Sequence, residues 1–190
     1  MGGLDKERVA KRLSMAGMCS RREAERWIAD GRVAVDGVVL TTPGVTVTED
    51  NAITVDGKPI AKKVSLRIWR FHKRRGLITT HRDPQGRPTV FNTLPENMPR
   101  VVSVGRLDIN SEGLLLLTTQ GWLARQLELP STGWIRRYRV RVFGQPEATQ
   151  LATLAKGVTI DGIRYGPVTA KIDNTQGANA WLTVALSEGK

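Results

Sequence analysis

The chain has 190 residues, enough for one large domain or two small ones with a buried core. Its formal net charge of +11 and its pI near 10.5 indicate a polyanionic partner, with nucleic acid favoured over a membrane surface. The single cysteine, Cys19, excludes an internal disulfide and a multi-cysteine metal site, and no apolar run approaches the roughly 18 residues of a membrane span, so we expect a cytoplasmic protein.

The positive charge is concentrated in the second part of the chain. Residues 1 to 60 carry nine Lys or Arg and nine Asp or Glu, whereas residues 61 to 190 carry twenty and nine. Long-range attraction for a polyanion therefore comes from residues 61 to 190. Basic residues in the first part can contact such a partner only through their local placement.

Two short helices are predicted at the start of the chain. The first lies within residues 5 to 17, where Gly17 can form a left-handed cap. Ser20 and Glu23 have the spacing of a capping box for the second helix, which runs to Gly31. The apolar faces of the two helices consist of Val9, Leu13, Ala16, Ala24, Trp27 and Ile28.

A small sheet is predicted to follow these helices. Asp36-Gly37 and Asp56-Gly57 each stand next to an apolar run, and such pairs are typical of tight hairpin turns. This order of helices and hairpins resembles the S4 RNA-binding domain over residues 4 to 60. The positions that carry the resemblance are Leu13, Gly17, Ser20, Arg21, Arg22, Ala24, Gly31, Val33 and Gly37.

The S4 resemblance implies that three arginines contact RNA. In such domains the start of the second helix and the turn after it face the nucleic acid. We therefore expect Arg21, Arg22 and Arg32 to contact phosphates, the first two with help from the helix N-terminus. The alternative for any one of them is a solvated surface arginine.

A linker, a strand and a basic loop are predicted next. Residues 61 to 65 lack periodicity and are interpreted as a linker, and residues 66 to 72, LRIWRFH, alternate as a strand does. The loop that follows is interpreted as a grip on RNA backbone. Its candidate binding residues are Lys73, Arg74 and Arg87, for which a charged surface loop is the alternative.

The segment from 100 to 121 organises the rest of the chain. Its apolar runs at 101 to 104 and 114 to 117 are typical of core strands that are covered on both faces. The loop between them places Asp108 at the edge of a core. We expect Arg106 to form an ion pair with this carboxylate. The pair would keep the carboxylate ionised, shielded from water and fixed in orientation, as a nucleophile or a base requires.

The same segment carries a family resemblance. Gly105-Arg-Leu-Asp108, followed by Asn110-Ser-Glu-Gly-Leu-Leu-Leu-Leu-Thr118, resembles the catalytic signature of RNA pseudouridine synthases of the RsuA/RluB type. The resemblance implies that Asp108 is the essential catalytic residue and that Arg106 orients it or binds phosphate. On chemistry alone, the alternative is a turn capped by the side chains of Asp108 and Asn110.

A strand is also predicted over residues 134 to 142, WIRRYRVRV. Its alternating faces consist of Arg137, Arg139 and Arg141 on one side and Tyr138, Val140 and Val142 on the other. A packed core tyrosine is the simpler interpretation of Tyr138. The family resemblance implies instead that Tyr138 lies in the active site against the target base, where an aromatic ring can stack on an unpaired pyrimidine.

The end of the chain resembles the start of a further family motif. Residues 188 to 190, Glu-Gly-Lys, open that motif, whose downstream Arg or Lys pairs with the catalytic Asp in the family. Since no such residue follows here, we expect weak or absent turnover from these 190 residues. Before this point the pattern predicts a helix at 146 to 155 and strands at 158 to 160, 167 to 172 and 180 to 186.

Together these features predict an α+β fold with two domains. A small S4-like αα/β module covers residues 1 to 60, and a mixed, mainly antiparallel sheet domain with flanking helices covers residues 66 to 190, after a linker at 61 to 65. The resemblance implies isomerisation of a specific uridine to pseudouridine in ribosomal RNA, of the large subunit before the small, with the RNA itself or a ribosome assembly intermediate as the partner. It further implies a monomer that uses no metal or organic cofactor and no membrane.

Two other functions are compatible with parts of the sequence. A non-enzymatic S4-type RNA-binding or ribosome-associated protein accounts for residues 1 to 60 and leaves the Asp108 segment unexplained. A metal-dependent nuclease could use Asp108 and Glu112, which share a face only in a helical loop. No other acidic residues gather near them in the sequence, and His72 and His81 are the only histidines.

Overall fold

The computed structural model describes residues 6–61 and 64–187 and divides into two compact units, Met1–Arg125 and Gln126–Lys190. The chain has an α+β fold in which the strands of each sheet pair antiparallel, as predicted, and an isolated parallel bridge joins Ile78 and Thr89. Within the described ranges no helix has the length and apolar character needed to cross a membrane.

The first unit begins with two helices and short strands. Their bounds are β1 Glu7–Arg8, α1 Val9–Met15, α2 Arg21–Ala29, β2 Val33–Val35, β3 Val38–Val39, β4 Thr46–Val47, β5 Ile53–Val55 and β6 Lys58–Pro59. Both predicted helices are confirmed. The first is shorter than predicted because its expected start pairs with β4 as a strand, and α2 begins where the Ser20 hydroxyl accepts a hydrogen bond from the Glu23 N–H at 3.2 Å.

The predicted hairpins are confirmed as well. Strands β3, β2, β5 and β6 form one antiparallel sheet in that order. Asp36 and Gly37 both have positive φ, as do Asp56 and Gly57, which is the backbone that a two-residue hairpin turn requires. The helices cover this sheet, and the core between them contains the fully buried Val9, Leu13, Ala24, Ile28 and Val33.

A second sheet completes the first unit. Its strands are β7 Ile68–Lys73, β8 Val102–Val104 and β9 Gly113–Thr118, and β9 lies in the centre between β7 and β8. Leu115 and Leu117 are 3% and 0% exposed, and they pack with Val90 and Val101 on one face. The prediction that this strand is covered on both faces is wrong, because Leu114 is 68% exposed. Alternate residues of a strand point to opposite faces, and the face that carries Leu114 is covered only towards Thr118, which is fully buried.

The segment predicted as a linker is partly tied to this sheet. Lys62 and Lys63 lie outside the described residues. Val64 and Ser65 are held by side chains at the end of β9, since Gln120 Nε2 donates to the Val64 carbonyl at 2.6 Å and Thr119 Oγ1 donates to the Ser65 carbonyl at 2.9 Å. The chain therefore enters β7 from a fixed point.

The second unit is built on a three-stranded antiparallel sheet. Its elements, with the helix that precedes it, are α3 Gly121–Glu128, β10 Arg136–Phe143, α4 Ala148–Thr153, β11 Val158–Ile160, β12 Ile163–Tyr165, β13 Val168–Gln176 and β14 Asn179–Leu186. The strand order is β10-β14-β13, and β11 pairs with β12 as a separate hairpin. The predicted helix and strands of this part are all present, with β12 as an addition.

Gly157, just before β11, is a position where the backbone strongly favours glycine. Its φ is 76° and its ψ is 162°, a region that is essentially confined to glycine, and a Cβ there meets the Tyr165 carbonyl oxygen at 2.6 Å. We expect Gly157→Ala to lower the free energy of unfolding by about 3 kcal/mol in denaturant titrations. Gly162→Ala is the control, since its φ of 77° carries the backbone cost while nothing lies within 4 Å of the added Cβ. Equal losses for the two variants contradict the expectation.

Candidate active site

The end of β7 fixes the loop that joins β8 to β9. The side chain of Lys73 is fully buried, and its ammonium donates hydrogen bonds to the carbonyl oxygens of Asp108 at 2.8 Å, Ser111 at 2.8 Å and Arg74 at 3.3 Å. These three bonds use the full donor capacity of an ammonium group. Burial lowers the pKa of Lys73, and the negative charge of Asp108 opposes that shift.

Thr79 holds the same loop from the other side. Its hydroxyl donates to the Leu107 carbonyl at 2.9 Å and accepts from the Leu107 N–H at 3.2 Å, and the Leu107 side chain packs against the core of the second sheet. One residue beyond Asp108, the Ile109 carbonyl accepts from the Gly76 N–H at 2.8 Å. The backbone on both sides of Asp108 is therefore fixed by groups more than 25 residues away in sequence.

Asp108 itself presents a free carboxylate. The side chain is exposed, and among the described residues its carboxylate oxygens take part in no hydrogen bond or ion pair. The turn that follows is closed through the backbone, by the Ser111 N–H and the Asp108 carbonyl at 3.0 Å, so the alternative of a side-chain cap is not what the structure contains. The arrangement is an unengaged acid on a rigid support.

Two expectations about Asp108 are corrected. The ion pair with Arg106 is not formed, because Leu107 between them is anchored into the core while Arg106 and Asp108 are both exposed. The carboxylate is also not dry in the free protein. A cavity of about 360 Å³ does lie in this unit, but it is at the opposite end of β7 and is lined by other residues, among them Trp69, Phe71, Leu94 and Met98.

Lys73 was predicted to contact RNA, and its buried position does not fit that role. The sequence did indicate that Lys73 is buried. Trp69, Phe71 and Lys73 are two residues apart along the strand and therefore point to the same face, and the first two belong to its apolar side. Thr79 was not predicted at all. Its hydrogen bonds join residues 28 positions apart in the sequence, and no local sequence pattern predicts them.

The other basic residues of this region lie at the surface. Arg74 is exposed, and Arg75 forms a loose ion pair with Glu112 at 3.8 Å. The side chain of Arg87 donates two hydrogen bonds to the Asp83 carboxylate, at 3.1 and 2.8 Å. These hydrogen bonds are the main reason that the pKa of Asp83 is lowered to about 2. The guanidinium of Arg87 is thus held in a fixed orientation within its loop.

The three arginines predicted to contact RNA near α2 are also exposed at the surface. Arg21 and Arg22 are exposed at the start of α2. Arg32 is exposed and makes two hydrogen bonds to Asp56, at 2.9 and 2.6 Å, while its guanidinium lies 4.9 Å from the ring centroid of Trp27. The pKa of Asp56 is lowered, first by its hydrogen bond to Arg32. Because the three arginines are exposed at the surface, they are compatible with contacts to phosphates.

Tyr138 lies in the second unit, on β10. The predicted alternation of this strand is confirmed, with Tyr138 half-buried beside Val140 and Val142 and the arginines exposed on the other face. Tyr138 pairs across the sheet with Val184 of β14. Residues 188 to 190, where the further motif was expected to open, lie outside the described residues. In the described ranges no group of three or more His, Cys, Asp or Glu side chains could hold a metal ion.

The role of Thr79 can be tested with a nearly isosteric change. We expect Thr79→Val to reduce turnover by about 10- to 100-fold, because the Asp108 backbone loses one of its anchors and a small misplacement of a reacting group is costly. Thr79→Ser should restore most of the rate, since it keeps the hydroxyl. Steady-state kinetics should show the loss in kcat and not in KM. A wild-type kcat for Thr79→Val contradicts the positioning role.

Comparison with known proteins adds family matches over most of the chain. Residues 7–53 match the S4 domain family, and residues 67–190 match the RNA pseudouridylate synthase family. A protein of Rickettsia felis named "Uncharacterized RNA pseudouridine synthase" is 48% identical over 184 residues, which cover 97% of this chain and 80% of that protein. "Ribosomal large subunit pseudouridine synthase B" of Salmonella typhi is 43% identical over 190 residues, covering 97% of this chain and 65% of the relative.

A solved structure supports the fold independently. It is described as "Crystal structure of pseudouridylate synthase", and it superimposes with a TM-score of 0.63 over 96% of this chain and 78% of its own. At 20% sequence identity this likeness concerns the fold alone.

Proposed function

Since the chain belongs to the RNA pseudouridylate synthase family, we propose that it converts a specific uridine of ribosomal RNA to pseudouridine with Asp108 as the catalytic residue. The observation that carries this proposal is the state of Asp108. It is exposed and its carboxylate binds no side chain within residues 6–61 and 64–187, while Lys73 and Thr79 hold the backbone of Asp108 and Leu107. A carboxylate that only caps a turn has no need of such support.

The reaction is an isomerisation, and its balance needs no second substrate. The bond between C1′ of the ribose and N1 of the uracil breaks, the base rotates, and C1′ forms a bond to C5. N1 ends with a proton and C5 loses one. A base inside a helix is not accessible for this exchange, so the target nucleotide has to leave the stack first.

Asp108 can act in two ways within this sequence of steps. Its carboxylate either attacks a carbon of the target nucleotide or removes a proton from the sugar. In both cases the group has to be ionised when it reacts. The flipped nucleotide then covers the carboxylate and removes it from water, which strengthens its interactions during the reaction.

The other residues have supporting roles in the proposal. Tyr138 stacks on the displaced uracil, and Arg106, free of Asp108, binds a phosphate of the target strand. Arg74 and Arg87 hold the backbone near the site, and Arg21, Arg22 and Arg32 hold it at the S4 module. The exposure of the arginines supports their assignments.

The substrate and the organisation of the chain are proposed at the same level. The named Salmonella relative acts on the large ribosomal subunit, so large-subunit RNA is the proposed substrate, bound by a monomer. We keep the predicted division into residues 1 to 60, a linker at 61 to 65, and residues 66 to 190. The two family matches, which start at residues 7 and 67, are in line with it.

The test is conversion of uridine in a ribosomal RNA transcript. After incubation with the chain, the RNA is digested to nucleosides, and pseudouridine is separated from uridine by chromatography. The proposal predicts that pseudouridine forms, at the weak rate expected of these 190 residues, and that excess chelator leaves its yield unchanged. Cleavage of the transcript that stops in chelator indicates a metal-dependent nuclease instead, and binding without conversion indicates an RNA-binding protein.

A further inference from the structure

One face of the sheet in the second unit is strongly basic. In a strand, alternate side chains point to the same side, and the register of β10, β14 and β13 shows which of them are neighbours. Arg139 is opposite Thr183, and Thr183 is opposite Lys171. We call the set on this side the basic sheet face. It includes Arg137, Arg139, Arg141, Lys171, Trp181 and Thr183, and the acid beside them is Asp173.

The cations of the basic sheet face outnumber its acids. Asp173 accepts hydrogen bonds from the Thr183 hydroxyl at 2.9 and 3.0 Å and lies 3.7 Å from Nε of Arg139. The carboxylate of Asp173 is therefore already engaged by Thr183 and Arg139. Arg137, Arg141 and Lys171 are exposed and have no ion pair or side-chain hydrogen bond among the described residues. Three unengaged cations on one small sheet form a site of high positive potential.

The spacing of these cations is regular. Residues two apart in an antiparallel strand are separated by about 6.8 Å, so the row from Arg137 to Arg141 extends over roughly 14 Å. Lys171 lies two strands away from Arg139, about 10 Å across the sheet. A single small anion cannot contact all of them. A polyanionic chain that crosses the sheet can.

An aromatic ring lies within the same face. The guanidinium of Arg139 is 4.9 Å from the ring centroid of Trp181, on the central strand β14. Arginine planes and aromatic rings are the surfaces on which unpaired nucleobases stack, and flanking cations hold the backbone of the same strand. A duplex has no free base face to offer to such a platform. This combination favours a single strand over a duplex, and RNA over an acidic protein.

We propose that the basic sheet face binds a single-stranded segment of the RNA substrate. Arg137, Arg141 and Lys171 contact its phosphates, and one base stacks on the Arg139 and Trp181 pair. The inference rests on the proposed function for the nature of the RNA. It adds a third contact surface, separate in sequence from the S4 module and from the Asp108 loop.

The test uses matched single lysine substitutions in the full chain. Lys171→Ala removes a cation of the basic sheet face, and Lys156→Ala removes an exposed cation of the same unit outside it. Binding of a short labelled single-stranded RNA is titrated at several salt concentrations. For Lys171→Ala we expect about tenfold weaker binding and a salt slope smaller by about 0.7. For Lys156→Ala we expect neither change.

A double variant extends the test to the edge strand. Arg137→Ala with Arg141→Ala should weaken binding more than Lys171→Ala does, with an unchanged melting temperature, because neither arginine has a partner among the described residues. Binding by these variants equal to that of Lys156→Ala overturns the proposal. So does an equal loss with a duplex of the same sequence, since stacking on Arg139 and Trp181 requires an unpaired base.

The proposal can fail independently of the catalytic one. All of the binding titrations are repeated in the Asp108→Asn background, where turnover plays no part. If the chain forms no pseudouridine but Lys171→Ala still weakens RNA binding, the basic sheet face stands and the catalytic proposal fails. If pseudouridine forms and the face variants bind RNA normally, the catalytic proposal stands and the face does not bind RNA.

Discussion

Asp108→Asn is expected to abolish pseudouridine formation and to leave RNA binding unchanged. The substitution keeps the size and shape of the side chain and disturbs no hydrogen bond, because the carboxylate has none among the described residues. What it removes is the ability to attack carbon or to accept a proton. Loss of a central reacting group typically lowers turnover by about 10⁴-fold or more, so single-turnover assays with saturating RNA should detect no product above background.

The matched control for this prediction is Glu112→Gln. It makes the same chemical change four residues away in the same loop, at an exposed side chain whose ion-pair partner is Arg75 at 3.8 Å. Such a loose surface pair contributes little. We expect Glu112→Gln to retain nearly full turnover. Substantial activity in Asp108→Asn, or equal losses in the two variants, contradicts the catalytic assignment.

The second large effect is expected at Lys73. Lys73→Met fills the same space but removes the ammonium that joins the carbonyls of Asp108, Ser111 and Arg74. Hydrogen bonds from a charged donor are worth more than neutral ones, and the carbonyls are left without that donor, so we expect the free energy of unfolding to fall by about 2 to 4 kcal/mol. Because the loop then loses its fixed shape, turnover should fall by about 100-fold or more.

Arg74→Met is the control for Lys73→Met. The two residues are adjacent, and both changes remove one positive charge, but Arg74 is exposed and Lys73 is fully buried. We expect Arg74→Met to weaken RNA binding without changing the denaturant midpoint. Lys73→Arg should not restore activity, because a planar guanidinium cannot direct three donors as an ammonium does. Wild-type stability in Lys73→Met means that the three hydrogen bonds do not hold the loop.

Turns and strand alternation could be predicted because their causes are local. Asp36-Gly37 and Asp56-Gly57 form hairpins since these residue pairs accept positive φ at low cost. The parity of β10 was readable from the alternation of its arginines with Tyr138 and its valines. The same alternation along β7 places Lys73 on the buried face. The expected RNA contact of Lys73 does not fit that position, because the basic composition of the loop was given more weight than the strand pattern.

The details of the Asp108 loop could not be predicted because they depend on distant contacts. Arg106 and Asp108 are two residues apart, and nearness in sequence suggested an ion pair between them. The direction of both side chains is decided by Leu107, which Thr79 holds from 28 residues away. An irregular loop has no periodicity from which such a contact could be inferred. Tyr138 as a neighbour of the target base stays a prediction.

The most direct measurement of the central claim is a map of pseudouridine in ribosomal RNA. RNA is isolated from cells that carry the native gene and from cells in which only Asp108→Asn has been introduced, and every uridine position is compared. The catalytic role of Asp108 predicts that one uridine, in the large subunit, is modified in the first sample and unmodified in the second. The same set of pseudouridines in both samples would contradict it.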